Sequence, residues 1–217
     1  MAPQNSKLYA LIFSALCPLT RRVHFFLPVL FFFVAPYLNG QTSWVASVSA
    51  PSDNWVSVAY GNRQFVAVST SGNIMRSTNG INWVSQTVSA NTAWSSIAYG
   101  NGLFVIVAGS GTNRVMTSPD AINWTAAGNI PASSWKSIVY GNGMFVMVAS
   151  SGTEKVMKSI DGLNWTSVSN VPTNDWSSIT YGEGMFVAVA SGGSGGRVMT
   201  SSDGVTWTSR THAAANT

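Results

Sequence analysis

Three features of the 217-residue sequence predict an all-β fold made of four repeated, four-stranded units. A strand motif that begins with Trp occurs four times, and a turn motif that ends with Trp follows each copy. Only 8% of the residues are charged, against roughly 25% in an average soluble domain, as suits sheets covered on both faces. The prediction is a β-propeller of four-stranded antiparallel blades, with four repeats of about 41 residues plus one extra N-terminal strand.

The first half of each repeat predicts a hairpin. In the second copy, Trp94, Ser96 and Ala98 alternate with the residues between them, which is the period of a β-strand. Asn101 and Gly102 then supply a pair that tolerates positive φ in a tight turn. The apolar run that follows suits a strand buried on both faces. The four copies are WVSVAYGNRQFVAV (55–68), WSSIAYGNGLFVIV (94–107), WKSIVYGNGMFVMV (135–148) and WSSITYGEGMFVAV (176–189).

The second half of each repeat predicts two more strands. In the second copy these are residues 114–118 and 123–127, joined by a turn around Asp120. One such sheet cannot bury two apolar faces alone, so the repeats must pack against one another. The repeats span about 55–93, 94–134, 135–175 and 176–211, within a propeller domain at 41–217.

The turn motif is a further constant feature, and it carries a family resemblance. Its copies are STNGINW (77–83), SPDAINW (118–124), SIDGLNW (159–165) and SSDGVTW (201–207). The motif resembles the Asp-box of the sialidase-like, BNR-repeat β-propellers, although it is one residue shorter. The resemblance implies structural turns in which a side chain accepts backbone hydrogens and Gly adopts a left-handed conformation. The implied acceptors are Asn79, Asp120, Asp161 and Asp203.

Two details of the turns lead to further expectations. Ala121 stands where the other copies have Gly, which predicts a strained or variant turn. The carboxylates belong to different blades, so we expect no metal site among them and no cofactor.

The N-terminal end of the predicted propeller contains an additional strand. Residues 43–55 match residues 82–94, which makes Trp44 a fifth copy of the fourth-strand Trp. The last repeat already has a fourth strand at 207–211. Either a small propeller closes by displacing one copy, or a homo-oligomer completes the ring, because open blade faces and edges favour association.

Residues 1–40 predict a signal peptide, with a signal anchor as the alternative. The apolar run at 23–38 is short for a bilayer span and contains two prolines. Lys7, Arg21 and Arg22 are three of the 11 basic residues, whereas all 7 acidic residues follow residue 40, so the formal charge falls from +4 to +1 without this leader. We therefore expect a secreted or periplasmic protein, no nucleic-acid partner, and membrane contact only through an uncleaved leader.

The loops that differ among the repeats predict where a ligand would bind. They join the second and third strands and link the blades, and both sets should lie on the rim opposite the turn motifs. Three cations, Arg114, Lys155 and Arg197, precede a Val-Met pair at the same blade position. With Trp94, Trp135 and Trp176 they form a candidate glycan-binding face. The alternative is strand-end cations with core tryptophans.

The sequence favours a binding or scaffold module over an enzyme. The sialidase resemblance implies an Arg triad, a Tyr nucleophile with a Glu partner, and an acidic proton donor. The repeated tyrosines suit packing, and only Glu154 and Glu183 supply glutamate, so no catalytic residue is assigned. Carbohydrate or protein is the expected ligand. The alternatives are a minimal sialidase-like glycoside hydrolase and a chaperone-like assembly factor of a membrane complex, since the repeat also resembles photosystem assembly factors.

Overall fold

The structure is a computed structural model that describes residues 46–47, 49–86 and 93–210. The leader at 1–40, the strand proposed around Trp44 and the residues after 210 lie outside these ranges. Within them the fold is all-β, with sixteen strands in four antiparallel sheets. The predicted fold class is therefore confirmed. No helix in the described ranges has the length and hydrophobicity needed to cross a bilayer.

Each repeat forms one blade, in which the strands are neighbours in chain order. Blade I contains β1 (Trp55–Gly61), β2 (Gln64–Ser69), β3 (Ile74–Ser77) and β4 (Val84–Gln86). Blade II contains β5 (Trp94–Gly100), β6 (Leu103–Ala108), β7 (Val115–Ser118) and β8 (Thr125–Ala126). Blade III contains β9 (Trp135–Gly141), β10 (Met144–Ala149), β11 (Val156–Ser159) and β12 (Thr166–Ser167). Blade IV contains β13 (Asp175–Gly182), β14 (Met185–Gly192), β15 (Val198–Ser201) and β16 (Thr208–Arg210).

The fourth strands are shorter than predicted. In blade II the strand begins at Thr125, not at residue 123. The reason is that the backbone N–H of Asn123 donates to Asp120 Oδ1 at 2.8 Å, which keeps this residue in the turn. The turn motif therefore takes residues that β-propensity alone would assign to the strand.

The predicted side-chain alternation is wrong at the start of the first strand of each blade, here called the innermost strand (β1, β5, β9 and β13). A β-bulge follows Trp94, because Trp94 pairs with Ala108 and Ser96 pairs with Val107. The extra residue puts Trp94 on the same face as Ile97 and Tyr99, packed against blade I. Ala98 faces the opposite way, toward blade III. A bulge changes which residues share a face because it adds one residue to a period of two.

The blades pack face to face through three apolar cores. Between blades I and II, Val66, Val68 and Ile74 meet Trp94 and Phe104. The equivalent residues form the cores between blades II and III and between blades III and IV. The tryptophans and phenylalanines at these positions are fully buried, so they contribute much of the apolar area that holds neighbouring blades together.

A tyrosine ring is seated on a glycine at each of these three interfaces. The ring of Tyr99 lies over Gly61, that of Tyr140 over Gly100, and that of Tyr181 over Gly141. A β-carbon on any of these glycines would lie 1.9–2.2 Å from the ring Cγ, well inside contact distance. The glycine that ends each innermost strand is therefore required by the tyrosine of the next blade.

A hydrogen bond recurs beside each tyrosine. The backbone N–H groups of Ile97, Ile138 and Ile179 donate to the Oγ atoms of Ser57, Ser96 and Ser137 at 3.2, 3.3 and 3.2 Å. Each serine belongs to the preceding blade. A buried or half-buried backbone N–H thus obtains its partner from the neighbouring sheet.

The hydrogen bonds also show two distinct rims. Asn62 Nδ2 and Gln64 Nε2 donate to the carbonyl oxygens of Pro119 and Asp120, which brings a first hairpin to the next blade's turn motif. At the other end, the backbone N–H of Ser134 donates to Ser151 O, joining a blade link to a variable loop. The uniform turns and the variable loops therefore lie on opposite rims, as predicted.

Candidate binding surface

The four turn motifs share one hydrogen-bond pattern. In blade III, Asp161 Oδ1 accepts the backbone N–H groups of Leu163 and Asn164 at 2.9 and 2.8 Å. Ser159 Oγ donates to the same oxygen at 3.0 Å and accepts the N–H of Gly162 at 2.8 Å. Asn79, Asp120 and Asp203 accept hydrogens in the same way in the other blades. These side chains are occupied in holding the turn.

The same contacts lower the pKa of the turn carboxyls. Hydrogen bonds from the backbone of Asn123, Asn164 and Thr206 are the largest cause for Asp120, Asp161 and Asp203, respectively, and hold each pKa well below the ordinary value of 3.8. On the variable rim, hydrogen bonds from Asn73 and other neighbours lower the pKa of Asp53 to about 2. Carboxyls with lowered pKa values stay ionised at neutral pH, so they are poor proton donors.

Ala121 gives the turn of blade II its own features. Its φ is 57°, close to the 70–73° of the glycines at the same position, so the turn is the same and not a variant. A left-handed alanine costs roughly 1 kcal/mol. The indole Nε1 of Trp124 is buried without an acceptor, whereas Trp83, Trp165 and Trp207 donate to the turn glycine's carbonyl.

The predicted tryptophan face requires a correction. Trp94 is 1% exposed, and Trp135 and Trp176 are 0% exposed. Their rings fill the cores between blades, and their indole N–H groups donate to the carbonyl oxygens of Gly72, Pro131 and Pro172. A ring buried between two sheets has no face for a sugar to stack on.

The three predicted cations lie at equivalent positions on the variable rim but make different contacts. Arg114 Nη1 donates to the carbonyl oxygens of Gly109 and Ser133 at 2.7 and 3.0 Å. Lys155 Nζ donates to Ser150 O at 2.7 Å and lies 3.8 Å from Asp175 Oδ1. Arg197 is exposed. The first two cations hold the loop that precedes them, while a ligand role for the three stays a prediction.

The bulges reveal a rim cleft that the sequence reasoning missed. The bulged residue of each innermost strand is the one after Trp, and in blade III it is Lys136, which is exposed. A cleft of about 380 Å³ between the first three blades is lined by hydroxyl side chains, by the aliphatic side chain of Val56 and by Lys136. The hydroxyls belong to Thr70, Ser95, Ser110 and Ser134. One feature of the sequence could have indicated this cleft: the residue after Trp is the only one that varies in the otherwise uniform W-x-S motif.

A larger depression, about 480 Å³, lies between the outer parts of blades III and IV. It is lined by the end of blade III and the turn of blade IV, including Asn170 and Trp207. The rim cleft is the better candidate for a specific ligand because its lining comes from loops and bulges that differ among the repeats. In the described part of the chain, no three His, Cys, Asp or Glu side chains are grouped in a way that could hold a metal ion.

Comparisons with known proteins identify the fold and no family. No protein-family profile matches the sequence, and no curated protein matches it. Solved structures do match. A structure of YCF48 bound to D1 peptide has a TM-score of 0.59 at 18% identity, covering 74% of this chain and 56% of that chain. YCF48 from Cyanidioschyzon merolae gives 0.60 at 16% identity, covering 78% and 60%.

An enzyme is also among the similar structures. Catalytically inactive virginiamycin B lyase from Staphylococcus aureus with quinupristin has a TM-score of 0.65 at 15% identity, covering 75% of this chain and 57% of that chain. The chain thus spans slightly more than half the length of these propellers. At such identities the likeness establishes architecture alone. This protein has a β-propeller fold whose blades resemble those of both binding proteins and an enzyme.

Proposed function

We propose that this protein is an exported, non-catalytic β-propeller that binds a peptide segment of a protein partner at the rim cleft. The observation that carries the proposal is the composition of the cleft. Hydroxyl groups from three blades surround an exposed ammonium group at Lys136, and Val56 adds an apolar surface. Hydroxyls suit the N–H and C=O groups of a peptide backbone, and the lysine suits a carboxylate.

The comparison with YCF48 supports this proposal at the level of architecture. That propeller has been seen with a D1 peptide, so a fold of this type can hold a peptide segment. A scaffold or assembly-factor role for this protein is the corresponding broader proposal. The unusual turn motif suggests that the repeat is a short variant of the Asp-box, because its side-chain acceptors serve the turn in the way that the resemblance implies.

The chemistry of the described carboxyls supports binding over catalysis. Glycoside hydrolysis needs two carboxyls that converge on one bond, one of them with a raised pKa. Here the turn carboxyls lie on separate blades, and hydrogen bonds lower their pKa values. A sialidase-like activity is the competing proposal, and a fluorogenic sialoside assay of the purified protein tests it, since turnover above buffer would overturn the binding role.

A glycan is the second candidate ligand. The hydroxyl-rich lining of the cleft suits a sugar, and the exposed Arg197 could pair with a carboxylate or sulfate. Because the tryptophans are buried, we expect glycan affinity to be weak. A glycan array separates the two ligands, provided that binding to any positive glycan is remeasured with Arg197→Met.

Selection of peptides tests the main proposal. A random-peptide library is selected on the purified protein, and dissociation constants of the selected peptides are compared for two variants. Lys136→Ser introduces the residue found at the equivalent bulge of blades II and IV, and Lys158→Ser is the matched control on the third strand of the same blade. We expect at least tenfold weaker binding, about 1.4 kcal/mol, for Lys136→Ser and no change for Lys158→Ser. Equal affinities for both variants would refute the cleft as the site.

Export is a separate proposal that rests on the sequence of residues 1–40. Expression of the full chain in a secreting bacterial host, followed by mass spectrometry of the recovered protein, tests it. A product that begins near residue 41 supports a signal peptide, while an intact chain in the membrane fraction supports the anchor.

A further inference from the structure

We propose that copies of this chain associate head to tail, with the outer face of blade I docked on the outer face of blade IV of a second copy. The head face consists of Trp55, Val58 and Tyr60, which are equivalent to Trp94, Ile97 and Tyr99 of blade II, and the tail face consists of Ser178, Gly182, Val187, Val189 and Val198. The contact would be a further blade interface of the kind that occurs three times among the described blades. It does not depend on the proposed ligand or on the rim cleft.

The tyrosine and glycine contacts provide the first argument. Three tyrosines cover the glycine of the preceding blade, but Tyr60 of blade I is 59% exposed. At the other end, Gly182 occupies the position of the three covered glycines, yet nothing lies within 4 Å of a β-carbon built on it. Blade I therefore exposes a tyrosine ring on its head face, and blade IV has on its tail face an uncovered glycine on which such a ring fits.

The serine hydrogen bonds provide a second argument, and they require the same head-to-tail orientation. In each internal interface, the serine of one blade accepts the N–H of the isoleucine on the next. Ser178 holds the serine position on the tail face, and Val58 holds the isoleucine position on the head face. Docking that seats Tyr60 on Gly182 also brings the Val58 N–H to Ser178 Oγ, because both pairs belong to the same two strands.

Burial of the branched side chains provides a third argument. On the tail face, Val189 is 42% exposed, and Val187 and Val198 are half-buried. The residues at the same positions of blades I, II and III are all 0% exposed. On the head face Val58 is 59% exposed, whereas the isoleucines at its position are 5–6% exposed. Both faces thus expose the apolar side chains that the internal interfaces bury.

The partner that fits these two faces is a second copy of the same chain. Each face lacks the contacts that the other supplies, residue by residue, and none of the residues that define either face is charged. A contact between two different faces is heterologous, so it repeats until a ring closes or a filament grows. This chain spans only 56–60% of the length of the YCF48 structures. A propeller of that size therefore has room for blades from a second copy.

Ser47 and Ser49 contact the turn of blade I and must shift when the faces meet. Ser49 Oγ donates to Ile81 O at 2.8 Å and accepts the N–H of Trp83 at 3.0 Å, beside the turn of blade I. Between blades III and IV, the equivalent position is occupied by Val168, which follows the fourth strand of blade III and packs in the same core as Trp207.

Sedimentation of the purified 217-residue chain and two variants tests the proposal. Gly182→Leu places a side chain where the tyrosine ring would lie, and within its own chain the new β-carbon has free space and a backbone φ that is not positive. Gly128→Leu is the control, because it adds the same side chain at an exposed glycine with equally free space. We expect a mass that is a multiple of 23.0 kDa for the wild type and Gly128→Leu, and at least tenfold weaker self-association for Gly182→Leu.

A cysteine pair keeps the test decisive if Gly182→Leu misfolds. In a Cys17→Ser background, Tyr60→Cys and Gly182→Cys are made in separate chains and mixed under mild oxidation. At the internal interfaces the tyrosine ring lies directly against the glycine, so docking of the same kind would bring cysteines at positions 60 and 182 next to each other. A covalent dimer that forms only in the mixture supports docking. A monomeric wild type, or a mass that Gly182→Leu leaves unchanged, would overturn the proposal.

Discussion

The ring of Tyr140 in blade III lies directly on the backbone of Gly100 in blade II, with its Cγ only 1.9 Å from the position of a glycine β-carbon. No side chain can be added there without moving the ring or separating the two sheets. Because neighbouring blades are held by such contacts and by apolar cores, we expect a small change at this glycine to affect the stability of the whole domain.

Gly100→Ala should therefore destabilise the protein. Overpacking of a well-packed interface typically costs about 1–3 kcal/mol, and the overlap here favours the upper end of that range. Urea unfolding followed by tryptophan fluorescence measures the change. Gly128→Ala is the control, with an expected effect below about 0.5 kcal/mol, because nothing lies within 4 Å of its β-carbon. Similar midpoints for the two variants would contradict the observed seat.

The turn of blade III supports a second prediction. Asp161→Ala removes the acceptor for the N–H groups of Leu163 and Asn164, so we expect a loss of about 1–2 kcal/mol. Asp161→Asn keeps one side-chain oxygen, as Asn79 does in blade I, where it accepts two backbone N–H groups at 2.9 Å. The asparagine variant should retain most of the stability in the same urea assay. Equal losses for both variants would show that the hydrogen bonds of Oδ1 do not hold the turn.

The lowered carboxyl pKa values lead to a prediction about pH. Asp120, Asp161 and Asp203 have folded pKa values below 3.8, so the unfolded chain binds protons first as the pH falls. Their contribution to the free energy of unfolding is complete above the unfolded value. It decreases as the pH drops from about 5 toward the folded values.

Urea midpoints measured between about pH 7 and pH 3 check this dependence. The wild type should be least stable at the acid end, and its advantage over Asp161→Asn should shrink there, because the variant has one fewer carboxyl to protonate. Asn79→Asp adds a carboxyl to the turn of blade I and should steepen the acid loss. A constant difference between wild type and Asp161→Asn at every pH would argue against the lowered pKa.

The sequence predicts the blades well because the repeat supplies the same signal four times. Alternation, the Asn-Gly turn and the Trp-ended motif each mark an element, and their spacing defines four sheets. Side-chain direction was harder, since the bulge after Trp94 leaves no mark in hydrophobicity. Trp94 and Ile97 share a face although they are three residues apart, which a strict two-residue period forbids.

The candidate site was harder to predict because it depends on loop composition and on residues from several blades. Arg114, Lys155 and Arg197 look equivalent in the sequence, but their contacts depend on loops of different composition. Arg114 lies within reach of two carbonyl oxygens, whereas Arg197 follows the Gly-rich segment 192–196 and is exposed. The bulge places Lys136 in a cleft that is lined by residues of three blades. Because these residues are far apart in the sequence, no local pattern predicts the cleft.

The difference between the rim arginines gives the last prediction. Arg114→Met removes two hydrogen bonds to the carbonyl oxygens of Gly109 and Ser133 in a half-buried position, so we expect a loss of about 1–3 kcal/mol. Arg197→Met affects an exposed side chain and should change stability by less than about 0.5 kcal/mol. Thermal unfolding of both variants measures the contrast. If Arg114→Met unfolds at the wild-type temperature, its contacts are not structural, and its ligand role would deserve the first binding experiments.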